Sequence, residues 1–82
     1  LGAVTAVAQE RFGALYGTVM DPSQAAMPNA TVTVSNKETG RTFTVQTGSD
    51  GAYVIRELEP GRYSLKVEAK GFRTHEVPDI YP

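Results

Sequence analysis

Arg62-Tyr63-Ser64-Leu65-Lys66-Val67-Glu68-Ala69-Lys70 is the stretch that decides the fold class. Tyr63, Leu65, Val67 and Ala69 alternate strictly with Arg62, Ser64, Lys66, Glu68 and Lys70. In an extended strand this period of two makes one apolar face and one charged face, whereas a helix would scatter the same residues around its axis. Working back toward the N-terminus, Ala30, Val32 and Val34 alternate with Thr31, Thr33 and Ser35, and Phe43 and Val45 flank Thr44. Leu15, Gly17 and Val19 share one face of an earlier strand, and Tyr53 and Ile55 one face of a later one, with Leu58 closing that run. Arg73 to Val77 reads as a last strand before Pro78.

The breaks between these runs carry turn chemistry. Asp21-Pro22-Ser23 ends the first strand, because Pro22 removes a ladder donor. Asn36-Lys37-Glu38-Thr39-Gly40 reads as a hairpin loop with Gly40 at positive φ. Asp50-Gly51 is the strongest reversal, with Gly51 left-handed, and Glu59-Pro60-Gly61 suits a type II turn. Six or so short strands separated by such turns define an all-β chain, and a two-layer antiparallel β-sandwich is the architecture that buries their inward faces. Val32, Val34, Val45, Tyr53, Ile55, Leu65 and Val67 are the expected core.

Size and charge narrow the function. With 82 residues the chain is one small domain, and it buries only about 60% of the surface its unfolded form exposes, too little for a deep enclosed cleft. Eight basic residues against nine acidic ones leave a net charge of -1 without a basic stripe, which argues against nucleic acid. The sequence has no cysteine and one histidine, His75, set between Thr74 and Glu76. A catalytic triad or a His/Cys metal site needs more partners than this, so His75 reads as solvated and no cofactor is implied.

Other apparent motifs dissolve. Asp50-Gly51 followed by Glu57 imitates half of a calcium loop, but Gln46 and Gly48 stand where carboxylates are needed. Gly48-Ser49-Asp50-Gly51 lacks the Lys-Ser/Thr pair of a phosphate loop. Asn29-Ala30-Thr31 has the form of a glycosylation sequon, placed at the start of a core strand. Tyr16, Tyr81 and Phe12, near the chain ends, are the aromatics a ligand could stack on, with core or terminal packing the plainer role.

Residues 1–10 read as a signal-peptide remnant or flexible leader, with the domain proper spanning 11–82. Ala6-Val7-Ala8 before Gln9 has the A-x-A form of a signal peptidase site, and the segment is far shorter than the roughly 20 residues a membrane-spanning helix needs.

Gly17-Thr18-Val19-Met20-Asp21-Pro22-Ser23, Met27 to Val34, Thr47 to Tyr53, Leu58-Glu59-Pro60-Gly61-Arg62-Tyr63 and Lys70-Gly71-Phe72 occur in that order. Together they resemble the carboxypeptidase regulatory-like domain family across nearly all of residues 13–77. The resemblance implies a transthyretin-like (prealbumin-like) sandwich of about seven strands. The Asp21-Pro22-Ser23 variant is most similar to the copy at the N-terminus of Oar-like TonB-dependent outer-membrane receptors. That implies a non-catalytic accessory module, exported to the periplasm or the periplasmic side of the outer membrane, whose partner is another protein or the rest of its own polypeptide. Starch-binding-like relatives suggest an alternative, a carbohydrate-binding module of a secreted protein, for which Tyr16 and Tyr81 are the candidate contacts. Within the family motif Asp50, Gly51, Pro60 and Gly61 are structural, expected to fix two reversals and so set the strand register.

Overall fold

The computed structural model describes residues 2, 4–11 and 13–81, the side chains of 6–11 excepted. Among the described residues seven strands follow one another: β1 (Thr5–Arg11), β2 (Ala14–Met20), β3 (Thr31–Asn36), β4 (Thr42–Gln46), β5 (Ala52–Ile55), β6 (Tyr63–Glu68) and β7 (His75–Ile80). They form two antiparallel sheets, ordered β1-β2-β5 and β4-β3-β6-β7. The all-β sandwich expected from the period of two is therefore the fold.

Alternation explains how the layers close. In β6, Tyr63, Leu65 and Val67 are buried while Lys66 and Glu68 are exposed, and in β3 Val32 and Val34 are completely buried. Register aligns these residues in rows across the larger sheet: Val34 lies between Phe43 and Leu65, and Val32 between Val45 and Val67. From the smaller sheet Leu15, Val19, Tyr53 and Ile55 face them, completing a core that also takes in Val4, Ala30, Leu58 and Ile80. Each such large apolar side chain contributes roughly 1.5–3 kcal/mol when fully buried.

Several expectations are corrected. Thr5–Arg11 is an edge strand paired with β2 from Thr5↔Met20 to Arg11↔Ala14, and Val4 is fully buried, so this segment is part of the sandwich and not a loose leader. Val45 is half-buried, because β4 lies at the outer edge of its sheet and has a neighbour on one side alone. The last strand does not stop at Val77 but continues through Pro78 to Ile80. Its register shifts opposite Tyr63/Leu65, and at a bulged sheet edge the missing N–H of Pro78 costs no ladder bond.

The turns differ in what they connect. Asp50-Gly51 makes the expected reversal, with Gly51 at φ +75° and its N–H donating to Gly48 O at 2.9 Å. It carries the chain from one sheet to the other, as does Pro60-Gly61, so neither sets the register of a paired hairpin. The β1–β2, β3–β4 and β6–β7 connections do that, since those strands are hydrogen-bonded neighbours. Pro60-Gly61 is also not a closed type II turn. Gly61 has φ +156°, and the Arg62 N–H donates to Glu38 Oε1 at 3.3 Å instead of closing on Glu59.

Candidate functional site

Polar side chains placed by the sandwich gather mainly at its loops. Thr47 follows β4 and is 3% exposed. Its hydroxyl donates to Met27 O at 2.5 Å and accepts from Ala30 N–H at 2.9 Å. Its backbone N–H donates to Ala30 O at 2.9 Å, and its carbonyl accepts from Asn29 N–H at 3.1 Å. One small residue thus braces the segment that enters β3. Asn36, also buried, ends β3 and accepts on Oδ1 from the N–H groups of Glu38 (2.8 Å) and Thr39 (3.0 Å), holding the β3–β4 loop. The Gly40 N–H donates to Asn36 O at 2.9 Å, with Gly40 at the expected positive φ.

Asp21 does the same at the end of β2. Oδ1 accepts from Ser23 N–H, Ser23 Oγ–H and Ala25 N–H at 2.9, 2.6 and 3.0 Å. The Ser23 hydroxyl foremost, then the Ala25 N–H, holds its carboxyl below the usual aspartate range. Asp50 Oδ1 accepts from Ala52 N–H at 3.0 Å, so this carboxylate completes a turn and is not half of a calcium loop. The Tyr63 hydroxyl donates to Glu59 O at 2.7 Å, bracing the β5–β6 crossing much as a tyrosine corner does. Burial pushes the Tyr53 phenol up to about 12.

Tyr16 and Tyr81 do not come together on one sheet. Tyr16 sits half-buried in β2 opposite exposed Val54 of β5, and Tyr81 follows β7 on the other sheet. Tyr81 is 62% exposed and borders an open groove of about 430 Å³ with Glu38, Gly61 and Arg62. Phe12 lies outside the described residues. A second open groove of the same volume is lined by Asn29, Thr31, Glu68, Lys70, Phe72 and Thr74 together with Ala69. Asn29 is exposed in the turn immediately ahead of β3, at φ +60°.

His75 is partly exposed, opposite Val67 at the sheet edge. Among the described residues no group of three or more His, Cys, Asp or Glu side chains is placed to hold a metal ion. No described helix is long and apolar enough to cross a membrane. Sequence reasoning passed over Thr47 and Asn36 as buried braces. Their signal was present, since Thr and Asn beside turns commonly satisfy loop backbone.

The fold and these braces define a small β-sandwich module whose characteristic polar residues hold its loops. The model of the carboxypeptidase regulatory-like domain matches residues 14–81, and the chain belongs to that family. Carboxypeptidase regulatory-like domains are non-catalytic. No curated protein and no solved structure matches the chain.

Proposed function

We propose that this domain serves as an accessory module of an exported bacterial protein, an outer-membrane TonB-dependent receptor, where it contributes protein contacts or spacing on the periplasmic side. The observation that carries the accessory role is the destination of its polar groups: Asp21, Asn36, Thr47, Asp50 and Tyr63 each bond to loop backbone. Groups committed in this way hold a scaffold in shape, which leaves function to its outer surface. The receptor setting rests on the resemblance carried by Asp21-Pro22-Ser23. It does not rest on Ala6-Val7-Ala8, because cleavage after Ala8 would divide β1 and remove Val4 from the core.

Carbohydrate binding is the second reading, and the groove around Phe72 favours it. That groove sets an aromatic ring among the hydrogen-bonding side chains of Asn29, Thr31, Glu68, Lys70 and Thr74. Fractionation of cells making the parent polypeptide, probed with an antibody against this domain, is the test. Recovery in the outer-membrane fraction supports the receptor module, and recovery in the cytosol overturns it. In parallel, saturable amide shifts around Phe72 on titration with starch-type or cell-wall oligosaccharides would put the carbohydrate reading first.

A further inference from the structure

The four outer strands of the two sheets end very differently. β7 carries Glu76 and Asp79 together with Pro78 and a bulge, features that discourage pairing with another strand. β5 is short and capped by its own turn, since the Ala52 N–H donates to Asp50 Oδ1 and the Ala52 carbonyl accepts from Gly48 N–H. β1 contains Glu10 and Arg11. β4, Thr42-Phe43-Thr44-Val45-Gln46, has no charge, proline or bulge.

The ladder shows which groups β4 leaves open. Asn36 N–H donates to Arg41 O at 2.8 Å, and Thr47 N–H donates to Ala30 O at 2.9 Å. Between these two hydrogen-bonded pairs the antiparallel alternation makes Val34/Phe43 and Val32/Val45 the bonded pairs as well. Thr42, Thr44 and Gln46 therefore direct their N–H and C=O groups away from β3, and all three residues are exposed. On the core-facing side Phe43 and Val45 remain half-buried, packed against the core from one flank.

We propose that β4 is a homotypic interface, on which a second copy of this chain adds its own β4 antiparallel about a two-fold axis at Thr44. In that register Thr44 meets Thr44 of the second copy, and Thr42 meets Gln46, so each open N–H and C=O finds a partner. Phe43 then lies across from Val45 of the other copy, an aromatic on β-branched pair that covers the apolar surface each leaves half-exposed alone. Charge agrees with this. Arg41, whose guanidinium lies 5.4 Å from the Phe43 ring centroid, falls opposite Thr47, and the two-fold places the two arginines at opposite ends of the pair. This inference goes beyond the accessory role and is independent of what the chain is attached to.

A five-residue strand buries far less than the roughly 1,200 Å² of a standard interface, so the isolated chain should dimerise weakly, with Kd on the order of 0.1–1 mM. Sedimentation equilibrium across that range tests it, with amide exchange reporting the site. Dimerisation with slowed exchange at Thr42, Thr44 and Gln46 is expected. Thr44→Pro removes an N–H that the domain's own ladder does not use and should abolish association. Thr44→Lys and Thr44→Glu each set like charges across the axis and should weaken it at least about tenfold, while an equimolar mixture of the two restores it. Circular dichroism and urea melts confirm that the variants fold. A chain monomeric to about 1 mM overturns the proposal, as does a dimer indifferent to Thr44→Pro or a mixture that fails to restore pairing. Protection of β4 by a foreign extended peptide in a chain that does not self-associate also overturns it. None of these outcomes alters the fractionation result, so the two readings fail separately.

Discussion

The Thr47 hydroxyl donates to the carbonyl of Met27 across 2.5 Å, tying the end of β4 to the loop that precedes β3. The same oxygen accepts from Ala30 N–H, so one buried atom satisfies a backbone donor and a backbone acceptor of the segment that enters β3. Without it, the Ala30 N–H would be buried unpaired.

Thr47→Val keeps the shape of the side chain and removes both bonds. It should destabilise the domain by about 2 kcal/mol, the cost of leaving the buried Ala30 N–H unsatisfied together with the lost bond to Met27 O. Urea melts measure this directly, and a variant as stable as the parent would show that water replaces the hydroxyl.

Gly51 and Gly40 separate conformational strain from steric conflict. Both have positive φ, +75° and +79°, but a Cβ on Gly51 would sit 2.6 Å from Val19 O and 3.1 Å from Met27 N, whereas one on Gly40 meets nothing within 4 Å. Gly40→Ala should cost about 1 kcal/mol from backbone strain alone. Gly51→Ala should cost at least twice that, because the Val19 carbonyl already accepts from the Met27 N–H at 2.9 Å and cannot move aside without losing that bond. Equal losses for the two variants would contradict the close approach.

Tyr63→Phe removes the hydroxyl that donates to Glu59 O and leaves the buried ring in place. A loss of about 1 kcal/mol is expected. Faster amide exchange should follow between Leu58 and Arg62, the part of the β5–β6 crossing that the bond braces. Exchange unchanged there would mean that packing alone holds the crossing.

Acid should release the loop after β2. The folded Asp21 carboxyl lies below its ordinary value of 3.8, so its stabilising contribution is present in full above that value and is lost as pH falls through the lower, folded one. The stability gap between the parent and Asp21→Asn should therefore narrow in acid. A gap that is constant with pH would show that the carboxylate charge plays no part.

The alternations around Leu65, Val34 and Val19 were enough to specify strands, their inward faces and a sandwich, because a period of two depends on neighbouring residues alone. The hairpin loop from Asn36 to Gly40 and the reversal at Gly51 were legible for the same reason, since local backbone sterics dictate them. Thr5–Arg11 was not legible as a strand: its small and mixed residues lack a clear apolar face, and pairing with β2 gives the segment its structure. Val45 stays half-buried for a related reason, as its own alternation predicts burial but its place at the sheet edge prevents it.

By itself the sequence determined which residues face inward and where the chain reverses, because side-chain alternation and turn sterics act over a few neighbouring residues. The tertiary structure decided which strands pair, which turns cross between sheets and which edge is left open. Those outcomes depend on contacts such as Val4 in the core, Thr47 with Met27 and Glu38 with Arg62, between residues that local periodicity does not connect.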